Sequence, residues 1–316
     1  MREQSGGRVK AGWGLAAALK RPVKAAIRGV VYARLSWIPL NERQAIYWAE
    51  KMKRIPAIFG ARPYRREVAI ECGTMRVGLI DVIERSLHVG GEWDRHVLEA
   101  LRVHLRPGDT FVDVGANIGY FTLFASRLVG TSGRVVAIEP AQGNLARLCD
   151  HLAMNQSANV LVVSTAAGSS HGVPFLHLPT PNNNGAANLR PAVGGAGHAV
   201  FQAPLDELFE SCDVRPQLIK LDIEGFELEA LRGLKRTLER HAPVVVCELT
   251  NEFLHEIGQD ARELLQFMES LGYRCRSLEL VPGTAGRELR SETILEETGQ
   301  LDVIFSPASP TRSVRQ

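Results

Sequence analysis

Five cysteines, none of them in a CxxC spacing, give this chain neither a zinc-ligand pattern nor a disulfide framework. Their odd number and scatter (Cys72, Cys149, Cys212, Cys247 and Cys275) fit a reducing compartment, and Cys247, inside an apolar run, reads as a core residue. Long apolar runs are missing too. No stretch approaches the roughly 18 to 20 uninterrupted apolar residues that a spanning helix needs. The charged N-terminus is not followed by an apolar region and a small-residue cleavage site. A cytoplasmic location is expected. Positive charge exceeds negative by only 2, too little to argue for a nucleic-acid partner, and none is expected. With 45% hydrophobic and 23% charged residues, the composition that remains is that of an ordinary globular protein.

What is present centres on Gly108 to Pro140, GDTFVDVGANIGYFTLFASRLVGTSGRVVAIEP. It reads as strand (Phe111 to Val114), glycine turn (Gly115 to Gly119), helix (from Tyr120), second strand (Arg134 to Ile138) and a closing acid, Glu139. Neighbouring parallel strands bring their C-terminal ends together, so Asp113, the turn and Glu139 are expected to line one crevice. A dinucleotide fold asks for GxGxxG, with the second glycine admitting the pyrophosphate and the third packing the helix. Here Asn117 stands at the second position and Tyr120 at the third. That departure argues against a phosphate on the helix N-terminus. S-adenosylmethionine, with an ammonium and a ribose diol but no phosphate, suits the acids better: Asp113 toward an ammonium or the turn N–H groups, Glu139 toward both ribose hydroxyls.

Downstream, strands alternate with helices and several strands are apolar throughout, the pattern of a parallel sheet covered on both faces. Leu218 to Ile223 is a buried strand carrying Lys220 and Asp222, followed by Glu224-Gly225-Phe226-Glu227. Pro243 to Cys247 is another, closed by Glu248. Hairpin geometry is expected over Val68 to Ile80, a helix over Glu92 to Leu105, and, after Glu224-Gly225-Phe226-Glu227, one helix to about Glu239. Pro181 to Gly197 reads as a long loop, in which Asn183, Asn184 and Gly185 offer hydrogen bonds to a hydroxylated substrate. Ala166 and Ala167 follow the third strand, Val160 to Ser164.

The motifs DVGANIGYFTL, IEP (Ile138 to Pro140), LIKLDIEGFELEALRG and VVVCEL resemble the FkbM family of S-adenosylmethionine-dependent methyltransferases, over roughly Gly90 to Pro307. KLDIEGFE is the most family-specific piece. The resemblance implies a class I methyltransferase fold: a Rossmann-like, seven-stranded, mostly parallel sheet with helices on both faces and an antiparallel last strand. It further implies O-methylation of a hydroxyl on a sugar, glycolipid, polyketide or related metabolite. The cofactor-binding set is then Asp113, Gly115, Ala116, Asn117, Gly119, Tyr120, Glu139, Pro140, Ala166, Ala167 and Asp222. The catalytic set is Lys220, Asp222, Glu224 and Glu248. If extended geometry persists past the strand, Asp222 and Glu224 point the same way; alternatively Lys220 and Asp222 form a structural ion pair and Glu224 caps the next helix.

No metal site is assigned. Asp222 and Glu224 resemble part of a divalent-cation site for a diol, but the sequence shows no third ligand. An NAD-dependent sugar oxidoreductase is the alternative enzyme, disfavoured by Asn117 and Tyr120. A non-catalytic cofactor-binding scaffold is the alternative outside catalysis, disfavoured by the intact acids. Residues 1–66 form a distinct segment, expected to be a helical extension ahead of a methyltransferase domain over 67–307 and a disordered tail over 308–316. Eight Lys and Arg up to Arg34 are opposed only by Glu3, among apolar residues at rough helical spacing. Such a segment either packs on the domain with a solvated basic face or touches an anionic membrane surface or a lipid-linked substrate.

Overall fold

The structure, a computed structural model, describes residues 65–78, 81–177, 188–189, 197–278, 286–291 and 300–308. The N-terminal extension up to residue 64, the Asn183–Gly185 loop and the tail from residue 309 lie outside them. Among the described residues no helix is long and apolar enough to cross a membrane. The chain divides into two compact units.

Of the described residues, the first unit holds 65–70, 75–78 and 81–93. Strands β1 (Arg65–Ile70) and β2 (Gly73–Gly78) form the expected hairpin, and helix α1 (Val82–Gly90) follows. Asp81 caps α1, its carboxylate accepting from the Glu84 N–H at 3.0 Å. That Asp-x-x-Glu spacing is a helix-start signal the sequence reading passed over.

The second unit carries the large sheet. In chain order it contains α2 (Arg95–His104), β3 (Thr110–Val114), α3 (Tyr120–Val129), β4 (Arg134–Ile138), α4 (Gln142–Met154) and β5 (Val160–Val163). Then come β6 (Ala166–Ala167), β7 (Phe175–His177), β8 (Gly197–Ala199), β9 (Gln202–Ala203), α5 (Leu205–Ser211) and β10 (Leu218–Leu221). The last part is α6 (Glu227–Arg232), α7 (Lys235–His241), β11 (Val244–Thr250), α8 (Asn251–Glu256), α9 (Ala261–Ser270), β12 (Tyr273–Ser277), β13 (Glu288–Leu289) and β14 (Gln300–Pro307).

The sheet order is β13-β12-β14-β11-β10-β3-β4-β5. Strands β5, β4, β3, β10 and β11 pair in parallel, and β14, last in the chain, runs antiparallel to β11 and β12. This is the class I methyltransferase sheet, with the two-residue β13 added as an eighth strand on its edge. Strands β3, β4 and β10 are apolar and buried along nearly their whole length, because helices cover both faces. Each such Val, Leu or Ile removed from water contributes about 1.5 to 3 kcal/mol. From β3 the order proceeds to β4 and β5 on one side and to β10 and β11 on the other. That reversal leaves a crevice at the C-terminal ends of β3 and β10, where α/β sheets bind ligands.

The single helix expected to about Glu239 is two. It breaks at Gly233, where a Cβ would meet the Gly168 carbonyl oxygen at 2.0 Å. Asp206 then recaps the chain: its carboxylate accepts from the Arg236 N–H and the Thr237 N–H, each at 2.8 Å. Tertiary packing on Gly168, which local periodicity does not register, makes the break.

Candidate active site

The register of β10 against β3 sets Lys220 opposite Asp113 and Leu221 opposite Val114. The chain leaving β10 therefore passes directly beside the glycine turn. Gly115 has φ +80°, and a Cβ there would stand 1.9 Å from the Asp222 carbonyl oxygen. Only a residue without a side chain permits that approach. Gly119 (φ +90°) starts α3, and Tyr120, Ala116 and Ile118 are buried in the turn.

Glu139 ends β4 and is buried. Its Oε2 accepts from the Asn117 N–H and its Oε1 from the Ala141 N–H, each at 2.8 Å. Burial pushes its carboxyl up to about 7, while the Ala141 and Asn117 donors hold it down. The Asn144 side chain also hydrogen-bonds this carboxylate, and the acceptor capacity that remains is open to a ligand hydroxyl. Two buried acceptors in this crevice, Asp113 Oδ1 and Asn117 Oδ1, have no hydrogen-bond partner among the described residues. Pro140 follows Glu139 half-buried. Ala166 packs with Ala141, two residues past Glu139, and with Leu176 and Val200; Ala167 joins the main core.

Asp113 is fully buried, and Thr122 Oγ1 donates to its Oδ2 at 2.6 Å. Lys220 Nζ lies 3.7 Å from Asp113 Oδ1, 3.0 Å from Asp222 Oδ2 and 5.0 Å from the centre of the Phe121 ring. Burial opposes the Lys220 charge, but Asp222 and Asp113 outweigh it, and the ammonium is held above its ordinary range. Burial raises the Asp113 carboxyl, against the pull of Lys220 and the Thr122 hydroxyl. The expected Lys220–Asp222 ion pair is thus present, with Asp113 as an additional member.

Extended geometry does not persist past Asp222. Glu224 sits at φ +57° and Gly225 at +104°, so the chain turns sharply and the alternation that would point Asp222 and Glu224 together is lost. Nor does Glu224 close that turn. Glu227 does: its Oε1 accepts from the Ile223 and Gly225 N–H groups, each at 3.1 Å. Sequence spacing gave no means of choosing between the two glutamates.

Glu248 lies on β11, where Thr250 Oγ1 donates to its Oε1 at 3.3 Å and Gln300 Nε2 to its Oε2 at 2.7 Å. Its register partner on β14 is Asp302. Burial, then the charges of Asp222, Glu224 and Asp302, push the Glu248 carboxyl up to about 9. Asp302 is pushed up to about 7 by burial and by Asp94 and Asp222. Asp94, just before α2, is raised by burial and by Asp222, with Lys220 and His96 opposing. The sequence reading missed Asp94, His96 and Asp302. Its available signals were the Asp-x-His start of α2 and an acid inside the apolar LDVIF strand. The crevice therefore gathers Asp113, Asp222, Glu224, Glu248, Asp302 and Asp94 near Lys220 and His96, an excess of acid groups over basic ones.

Residues 113–275, more than half of the chain, match the family described as the methyltransferase FkbM domain. A 186-residue segment is 29% identical to the hexuronic acid methyltransferase AglP of Haloferax volcanii, covering 58% of this chain and 73% of that protein. Among solved structures, the chain resembles a methyltransferase FkbM from Methylobacillus flagellatus (TM-score 0.42, 20% identity), with 70% of this chain and 52% of that one covered, so the match spans about half that protein's length. It also resembles an Aeropyrum pernix fibrillarin solved with natively bound S-adenosyl-L-methionine (TM-score 0.39, 13% identity), covering 78% of this chain and 84% of that one.

Proposed function

The chain belongs to the FkbM methyltransferase family, and from that premise we propose that it transfers a methyl group from S-adenosylmethionine to a hydroxyl of a sugar-like acceptor. The observation that carries the cofactor assignment is the acceptor-rich, anionic crevice at the ends of β3, β4 and β10. Asn117 Oδ1 is buried with no hydrogen-bond partner among the described residues, and Asp113 Oδ1 faces only the Lys220 ammonium, at 3.7 Å. Glu139 is fixed by two backbone N–H groups and the Asn144 side chain and keeps acceptor capacity beyond them. S-adenosylmethionine presents the matching groups: an ammonium, ribose hydroxyls and a sulfonium. A pyrophosphate would meet repulsion from the same carboxylates, which speaks against the nicotinamide reading. When bound, the cofactor supplies an electrophilic methyl group.

The chain's own residues do the rest. Glu139 accepts from the ribose hydroxyls and orients that end of the cofactor. Asp113 and Asn117 receive donors from its other end, and Lys220 keeps Asp113 and Asp222 in place. Holding donor and nucleophile in line supplies up to roughly 7 to 11 kcal/mol of the barrier. A carboxylate at the end of β10 (Asp222 or Glu224) takes the proton that the acceptor hydroxyl releases, an effect of about 10² to 10⁴ in rate; Glu248, pushed up to about 9, holds its own proton near neutral pH and takes this role only at higher pH. The acceptor class rests on the sugar acid named for the Haloferax relative. Asn183, Asn184 and Gly185 belong to this reading as acceptor-side contacts.

Calorimetry with S-adenosylmethionine and with NAD tests the cofactor. Binding of NAD alone would overturn the reading. Transfer from labelled cofactor into a cell extract, followed by mass spectrometry of the product, identifies the acceptor. Asp222→Asn and Glu224→Gln are each expected to lose turnover while remaining folded. Near-normal turnover in both would remove these two residues from the chemistry. Cofactor binding without methyl transfer to any acceptor would instead favour a scaffold.

A further inference from the structure

Beside Asp222, the second unit brings together three side chains that the cofactor reading does not use. Asp94 and His96 come from the start of α2 and Asp302 from the middle of β14. One ligand atom from each lies within 4.8 Å of the other two. We propose that Asp94, His96 and Asp302 form a divalent-cation site of the Mn²⁺ class.

Four observations carry the assignment. First, the donor set is mixed: an imidazole nitrogen and two carboxylates suit a first-row divalent metal better than Ca²⁺ or Mg²⁺, which favour all-oxygen shells. Second, the spacing fits a shared ion better than direct contact. His96 Nδ1 and Asp94 Oδ1 are 3.6 Å apart, too far for a hydrogen bond. Two donors each about 2.1 Å from one ion, at tetrahedral or octahedral angles, stand about 3 to 3.5 Å from one another. Third, all three residues are half-buried. That is enough protection to favour binding and enough exposure to leave coordination positions for water or for substrate oxygens. Fourth, the local charge is unbalanced. Asp222 acts on both Asp94 and Asp302, and Lys220, the fixed cation that acts on both, is already bonded to Asp222 at 3.0 Å.

The ion's open positions would take two neighbouring hydroxyls of the acceptor and lower the pKa of one, easing its deprotonation. This role rests on the methyl-transfer reading above; the binding itself does not. It is a different set from the Asp222 and Glu224 pair considered in the sequence, drawn from residues remote in the chain.

The test is Mn²⁺ titration of the EDTA-stripped full chain, followed by electron paramagnetic resonance and calorimetry. The wild type is expected to bind one Mn²⁺. His96→Ala and Asp302→Asn should each weaken it by at least about tenfold, with circular dichroism and S-adenosylmethionine binding unchanged. A wild type that binds no Mn²⁺ overturns the site, and needs no variant to fold. So do variants that bind Mn²⁺ as tightly as the wild type. Mn²⁺ bound at these residues by a chain that methylates nothing would leave the site standing and remove the methyl-transfer reading instead.

Discussion

Replacing Lys220 with methionine removes the ammonium beneath the crevice and keeps most of the side chain's volume. The two carboxylates it serves are not equivalent. Asp222 is the nearer, at 3.0 Å, but its side chain is 33% exposed, whereas Asp113, at 3.7 Å, is 1% exposed. At an effective dielectric of about 20 the two contacts are comparable, about 5.5 kcal/mol to Asp222 and about 4.5 kcal/mol to Asp113. Water can replace the ammonium at the part-exposed Asp222 carboxylate but not at Asp113, so losing the longer contact costs more. Lys220→Met should cost about 3 to 5 kcal/mol, chiefly because Asp113 is left buried and unpaired. For a domain of this size that lowers Tm by about 6 to 20 °C.

Urea denaturation measures the loss, and pH identifies its cause. Burial already raises Asp113 above its unfolded value, and removing the ammonium raises it further. A carboxyl raised in the folded state binds more protons folded than unfolded, so stability falls as pH rises through its window. The cost of Lys220→Met should therefore be largest near pH 8 and shrink toward pH 5. Adding Asp113→Asn, which keeps an oxygen for the Thr122 hydroxyl, should recover much of the loss. A cost under about 1 kcal/mol at pH 8, or no recovery in the double variant, would refute the reasoning.

Further expectations concern the cradle. Gly115→Ala places a methyl group against the Asp222 carbonyl at a positive φ. It should cost about 1 to 3 kcal/mol in backbone strain alone and weaken S-adenosylmethionine at least about tenfold by calorimetry; wild-type stability and affinity would contradict the close approach. Glu139 is pushed up to about 7 by burial, and its ionised form is the better acceptor. Cofactor affinity should rise from about pH 6 to 8 and then level off, whereas this group's contribution to folding runs the other way, being lost as pH rises from its unfolded value of about 4.3 through 7. A flat affinity profile would argue against Glu139 as the ribose acceptor. Glu139→Gln turns an amide nitrogen toward one of two backbone N–H donors. Denaturation should show a loss of about 1 to 3 kcal/mol, and a neutral substitution would mean that those bonds are dispensable.

The cradle was legible in the sequence because its signals are local. The short apolar run around Asp113 in Phe111 to Val114, glycines at 115 and 119, and the acid that follows Ile138 are fixed by residues adjacent in the chain, so the strand-turn-helix-strand unit and the places of Asp113 and Glu139 could be read directly. Lys220 could be read as paired, since a charge in an apolar strand requires a partner. The identity of its buried partner could not. Asp113 faces it only because β10 inserts beside β3 rather than beside β5, a choice made by packing the whole sheet. The same holds for the left-handed turn at Glu224, which hands the backbone N–H groups to Glu227. It holds for the break at Gly233, and for the meeting of Asp94 and His96 with Asp302. Local pattern determined which residues carry charge and where each strand ends. Sheet order and register, which depend on burying apolar faces from distant segments together, decided which of those charges meet.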